Sequence, residues 1–272
     1  MILKQIVLSH ESVNSDDAYD AIYCNIEFIN NLLAEQVRYS EMCDDALKSY
    51  FVDYYLAQIN NGGFSQFVYN SGWDAGLLDF VEQGLQSMQA TQHLALLNKA
   101  KAQIASLNEE QLAQFLDGSY WDSENFIKSL DVLADEFYAL NDKEDLIKLN
   151  SAWIKALPET KLLAEEELSA EAARLADLIT DKEQRFAEAK ANAPRFEKLI
   201  YALCEKLGQQ LLTITAGDPS HEVEGEPTIA WHFLTEEGHF YMVDHKQVAS
   251  MYEGEGDKFI TSIPAGAEYG ED

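Results

Sequence analysis

Asp45-Ala-Leu-Lys-Ser-Tyr-Phe-Val-Asp-Tyr-Tyr-Leu-Ala-Gln-Ile-Asn60 is the stretch whose reading decides the fold. Leu47, Tyr50, Phe51, Tyr54, Tyr55, Leu56 and Ile59 cover most of the circumference of a helix over 45–60. A helix that is apolar on most sides belongs inside a core, with other helices around it. It runs into Asn61-Gly62-Gly63, whose glycines supply the left-handed backbone that a helix end wants. A short helix over 64–69 follows, then a turn at Asn70-Ser71-Gly72. Trp73 or Asp74 opens the next helix, which reaches Met88.

On the N-terminal side, Tyr19, Ile22, Ile26, Ile29 and Leu33 recur at spacings of three and four, as one buried stripe of a helix over 16–35 requires. Ser15 is the expected N-cap. On the C-terminal side, helices are expected over 91–106, 109–117, 122–140 and 142–156. Pro158 suits the first turn of another. Residues 158–192 are rich in Ala, Leu, Glu, Lys and Arg, which are strong helix formers, and their mixed charges suit a solvated helical hairpin. Pro194 breaks that run, and a last helix reaches Leu207 before Gly208.

At Gly208 the pattern changes. Residues 211–215 read as a strand and 218–227 as an acidic loop. Thr228–Thr235 and His239–Asp244 read as a hairpin, and 259–263 as a further strand. Residues from Gly266 to Asp272 are expected to fray. The expected fold class is mainly α: a multi-helix bundle with a small β-rich C-terminal appendage. It divides into a helical domain over 1–157, a helical extension over 158–207 and a β-rich region over 208–272.

Charge is the strongest functional signal. The chain carries 48 Asp and Glu against 19 Lys and Arg, a formal net charge of −29 in 272 residues. Such an excess repels itself and opposes compaction, so it points to a use or an adaptation. Residues 1–98 hold 13 acids and 3 bases, and residues 208–272 hold 13 and 2. Direct nucleic-acid binding is disfavoured, because phosphate neutralisation needs Lys and Arg. Binding to anionic lipid is disfavoured for the same reason, and no apolar run is long enough for a membrane span. The N-terminus has no signal-peptide pattern. Cys24, Cys43 and Cys204 lack Cys-x-x-Cys spacing and fit reduced, buried thiols of a cytoplasmic protein.

The acids expected to face a partner are Asp16, Asp17, Asp20, Glu27, Glu35, Glu41, Asp44 and Asp45. Of these, Asp16, Asp17, Asp20, Glu27 and Glu35 fall in a band opposite the apolar stripe, and no Lys or Arg interrupts that band until Arg38. Ordinary solvated helices interleave both signs. Glu165-Glu166-Glu167 reads as a solvated run. No phosphate-binding loop, dinucleotide fingerprint, zincin motif or nucleophile elbow occurs. His232, His239 and His245 with Asp244 are the nearest approach to a metal set, and they suit exposed strand and turn histidines better. No metal, no cofactor and no enzymatic activity is expected.

The segment Asn61-Gly62-Gly63-Phe64-Ser65-Gln66-Phe67-Val68-Tyr69-Asn70-Ser71 resembles the signature N-G-G-F-x-Q-F-x-x-N-S of the DMP-type family, a mostly uncharacterised bacterial family whose best-known member is a DNA mimic. The aromatic run Tyr50–Tyr55 is similar to the family's aromatic helix. The region from Trp121 to Trp153, with Phe126, Leu130 and Phe137, is similar more loosely. The resemblance covers roughly residues 10–155. It implies an all-helical body, a homodimer, and carboxylates that imitate duplex phosphates and sequester a helix-turn-helix regulator. The region after Gly208 has no counterpart in it.

Within the motif, Asn61, Gly62 and Gly63 are expected to turn the chain, and Phe64 and Phe67 to staple the next element to the core. Gln66 and Asn70 are expected to bond backbone groups freed at the turn. A binding pocket around Gln66, Tyr69, Asn70 and Trp73 is the alternative. The expected function is binding of a basic DNA-binding protein by DNA mimicry. The rivals are an immunity-type protein that neutralises a basic partner without mimicry, and an acidic surface that serves salt adaptation.

Overall fold

The structure is a computed structural model, and its described residues are 1–120 and 122–270. Trp121, at the head of the loosely similar aromatic region, lies outside the described residues. The chain divides into two units, Met1–Lys182 and a second beginning at Glu183. That boundary falls inside the stretch expected as a helical extension. The molecule is mainly α with a β-rich C-terminal part.

The first unit runs β1 (Val7–Ser9), α1 (His10–Asn14), α2 (Tyr19–Ala34), α3 (Asp44–Ser71), α4 (Ala75–Ser87), α5 (Thr91–Ile104), α6 (Glu109–Leu116), α7 (Ser123–Asn141), α8 (Leu146–Ala156), β2 (Lys161–Leu163) and α9 (Leu168–Ala176). As its all-round apolar pattern requires, α3 is central and packs against α2, α4, α7 and α8. Phe51, Val52, Tyr55, Leu56, Ile59, Phe64 and Phe67 on α3 are all buried. Tyr55 meets Phe64, Phe67 and Phe137 edge-on, with ring centroids 6.0, 5.1 and 5.6 Å apart. These T-shaped contacts place ring edges against ring faces, the arrangement the ring quadrupole favours.

Two local expectations change here. Helix α2 begins at Tyr19, and Ser15 is not its N-cap. The Asp17 carboxylate accepts from the Tyr19 amide at 2.9 Å, and the Ser15 hydroxyl donates to Asp20 at 2.5 Å. The N-cap position is Ala18, which makes no side-chain cap, and the Asp17 carboxylate suits the positive end of the helix. Residues 158–192 are not purely helical, because β2 pairs in parallel with β1, Val7 opposite Lys161 and Ser9 opposite Leu163. Burial of Val7 and Leu8 supports that long-range pairing, which local propensity does not register.

The second unit holds most of α10 (Lys182–Asn192), then α11 (Arg195–Leu207) and five antiparallel strands in sequential order: β3 (Leu211–Val223), β4 (Glu226–Thr235), β5 (Gly238–His245), β6 (Val248–Glu253) and β7 (Phe259–Pro264). Leu199, Ile200, Leu203 and Cys204 of α11 share a core with Phe233, Phe240, Met242 and Met251 of the sheet. The expected acidic loop over 218–227 is instead the β3–β4 hairpin. Glu224 and Gly225 turn it with φ of 56° and 81°. Strand β6 is an addition, joined to β5 by Lys246-Gln247 at φ of 49° and 63°. Asn-Gly is the usual signal at such a pair of positions, and its absence hid the turn.

The chain after β7 is tied to α11. The Arg195 guanidinium donates to the carbonyls of Ala265, Gly266 and Gly270 at 2.6, 3.1 and 2.5 Å and to Asp244 at 2.8 Å. These bonds hold Ala265 and, in the segment where fraying was expected, Gly266 and Gly270. Glu271 and Asp272 lie outside the described residues.

Candidate functional site

The motif forms a kink within α3. Gly62 (φ −160°, ψ 26°) and Gly63 (φ 75°, ψ −173°) leave the helical region, so the segment is two helices joined at a break. Gly63 has the backbone that only glycine adopts without strain. Phe64 and Phe67 enter the core as expected, whereas Asn61 is exposed at the bend. Gln66 and Asn70 do something different from what was expected. Both donate to the Gln58 side-chain oxygen, at 3.0 and 2.6 Å, and so tie the helix before the break to the helix after it. The Ile59 carbonyl, freed by the break, accepts instead from the Tyr138 hydroxyl at 2.7 Å. The Gly62 carbonyl accepts from Ser65 at 3.3 Å. Of the alternative pocket's residues, Tyr69 is exposed and Trp73 packs edge-on against Phe67 at 6.2 Å.

The acids divide by their partners. Asp16, Asp17, Asp20, Glu27 and Asp44 are exposed and form no ion pair among the described residues. Glu35 is bound by Lys182, which the linear band did not include. Asp45 is paired with Lys48 at 3.0 Å. Glu41 accepts from the Arg38 amide at 2.9 Å and is half-buried, so it serves the turn before α3.

Asp20 and Glu27 line one cleft of about 540 Å³, together with Glu11 of α1, Glu165, Ser12, Tyr23 and Asn31. Neither lysine nor arginine lines it. Seven residues of helix carry Asp20 and Glu27 about 10 Å apart along the axis of α2. Glu11 and Glu165 were missed by the sequence reading. Glu11 stood alone, and Glu165 sat in a run read as solvated. The β1–β2 pairing brings their segments together, and no local pattern announces it.

A second feature lies along α3. Asp53 is largely buried and receives a long contact from the Tyr19 hydroxyl, 3.4 Å. Burial pushes its carboxyl up to about 6, and the Tyr19 hydroxyl opposes that only in part. Tyr19 is itself raised to about 12, first by burial and then by the Asp53 charge. Beside it, Tyr39, Tyr50, Phe51, Tyr54, Leu77 and Phe80 wall a mostly apolar cleft of about 510 Å³, with Asp74 and Gly76 completing the lining. Burial also raises Tyr50 to about 12, with Tyr39 the next cause, and raises Tyr54.

The histidine set is split. His232 and His239 lie together, with ring nitrogens 3.1 Å apart. His245 instead faces Glu224 and Glu226 at 3.9 and 3.7 Å, and Asp244 belongs to Arg195. Among the described residues, no group of three or more His, Cys, Asp or Glu is placed to hold a metal ion. Among them also, no helix is long and apolar enough to cross a membrane.

Fold and surface define an acidic, mainly helical protein with a kinked central helix and a separate sheet-bearing unit. Residues 40–157 match the family model described as DMP19-like protein. The matched segment is somewhat under half of the chain and takes in α3 to α8. The segments that line the carboxylate cleft lie on either side of it. No curated protein and no solved structure matches the chain.

Proposed function

We propose that this protein is a non-enzymatic DNA mimic that binds a basic DNA-binding protein, such as a transcription regulator, and holds it away from DNA. The observation that carries this reading is the cleft of four carboxylates, Glu11, Asp20, Glu27 and Glu165, lined by no lysine or arginine among the described residues. The DMP19-like match over 40–157 supports it independently. Duplex DNA presents one charge per about 3.4 Å on each strand, so the spacing of Asp20 and Glu27 is close to three phosphate steps. Arginine pairs with a carboxylate as it pairs with a phosphate. Carboxylates on preformed helices need less ordering on binding than a flexible acidic tail. The buried, unpaired thiols Cys24, Cys43 and Cys204 support a reducing, cytoplasmic setting. A homodimer is the working assembly in this reading.

The test uses the full chain as bait at about 50 mM salt, with the captured protein identified and then challenged with duplex DNA. The expected result is a DNA-binding protein that duplex displaces and that releases as salt rises towards about 200 mM. Substituting Asp20→Asn with Glu27→Gln is expected to weaken capture several-fold. A partner that duplex DNA fails to displace would overturn the mimicry, and sedimentation of the free chain checks the dimer.

A further inference from the structure

We infer that the tyrosine cleft on α3 is a seat for an arginine side chain of the basic partner. This inference rests on the basic-partner reading above and adds the residue type that anchors it. Tyr39 meets Phe51 at 5.2 Å between ring centroids, Tyr50 meets Phe51 edge-on at 5.2 Å, and Phe51 stacks on Phe80 at 5.6 Å. The rings are held in place: the Tyr50 hydroxyl donates to Asn30 at 3.1 Å, and Phe51 is buried beneath. Tyr39, Tyr50, Tyr54 and Phe80 remain accessible, Tyr39 with 39% of its surface exposed. An apolar cleft with preformed aromatic walls takes an occupant without first collapsing.

Charge selects the occupant. Asp74 lines the cleft and is fixed as the N-cap of α4, where one carboxylate oxygen accepts from the Leu77 amide at 2.8 Å. Its second oxygen has no hydrogen-bond donor among the described residues. Asp53 does not line the cleft, but its charge also acts on Tyr50. No lysine or arginine lines the cleft. Aromatic faces attract a cation, and arginine more often than lysine occupies such sites. A guanidinium is planar, weakly hydrated and stacks on rings, while its edge donates to a carboxylate. A lysine ammonium keeps its water more tightly and has no face to stack. The cleft therefore favours arginine over lysine.

The test compares two labelled peptides, one carrying six arginines and one six lysines in the same Gly-Ser background, by fluorescence anisotropy with the full chain. The expected result is at least about fivefold tighter binding of the arginine peptide. The pair Tyr39→Leu with Tyr54→Leu should bring that ratio close to one, and the pair Tyr39→Phe with Tyr54→Phe, which keeps the rings, should retain it. Asp20→Asn with Glu27→Gln should weaken both peptides alike and leave the ratio unchanged. Equal binding of the two peptides by the unmodified chain, or a ratio that survives in the folded leucine variant, overturns the arginine seat. If the acid substitutions leave both affinities unchanged, the carboxylate reading fails instead, and the ratio still reports on the tyrosines.

Discussion

The Tyr138 hydroxyl donates to the Ile59 carbonyl at 2.7 Å and so fastens α7 to the break in α3. That bond replaces the backbone partner which Gly62 and Gly63 withdraw from the helix. Removing it with Tyr138→Phe should cost about 0.5–1.5 kcal/mol, because water reaches part of the site. Gly63→Ala should cost more, about 1–3 kcal/mol, since an L-residue is strained at φ 75° and ψ −173°. Urea unfolding of both variants checks the order, and a Gly63→Ala protein as stable as the parent would show that the break is not required.

Tyr55 is fully buried, and its hydroxyl has no hydrogen-bond partner among the described residues. Burial raises its pKa far above the ordinary tyrosine value. A buried hydroxyl without a partner bears its desolvation cost with no return. Tyr55→Phe keeps the ring contacts with Phe64, Phe67 and Phe137 and should leave stability unchanged or raise it by about 1 kcal/mol. Thermal unfolding measures this, and a clear loss would mean that the hydroxyl is satisfied by water.

Asp53 imposes a pH dependence of determinate sign. Its folded-state pKa is about 6 against an ordinary 3.8, so the folded chain holds the proton more tightly than the unfolded one. Its contribution to stability therefore falls as pH rises from about 4 to about 6 and stays low above that. Asp53→Asn should raise stability at pH 8 by about 1–3 kcal/mol and flatten that slope. Unfolding curves at pH 4, 6 and 8 compare the two proteins. A variant less stable than the parent at pH 8 would mean that the carboxylate is held by a favourable partner.

Arg195 joins the start of α11 to Asp244 on β5 and to the chain after β7. Its side chain is largely buried, so losing it strands the Asp244 carboxylate and several carbonyls. Arg195→Ala should destabilise the second unit by about 2–4 kcal/mol, and Arg195→Lys should recover little, because an ammonium lacks the planar fork. Hydrogen exchange at strand amides of Phe240, Met242 and Met251 reads this directly.

Much of the helical unit was legible because its signals are local. The all-round apolar pattern of 45–60 placed α3 in the core, and Gly62-Gly63 marked the break. The roles of Gln66 and Asn70 were not legible. An amide side chain has several possible partners, and the choice of Gln58 depends on how the two helices meet. Strands β1 and β2 were missed because each is three residues long and is held by the other across most of the first unit. The turn at Lys246-Gln247 was missed because neither residue signals positive φ.

The amino-acid sequence by itself determined that the chain is helical through its first two thirds, acidic throughout and short of cations near both ends. Tertiary structure alone decided which carboxylates remain unpaired. Lys182 reaches back to Glu35 and removes it from the band on α2, whereas Glu11 and Glu165 arrive beside Asp20 and Glu27. Net charge is a sum over residues and needs no geometry. Coulomb energy depends on separation in space and on burial, and folding sets both.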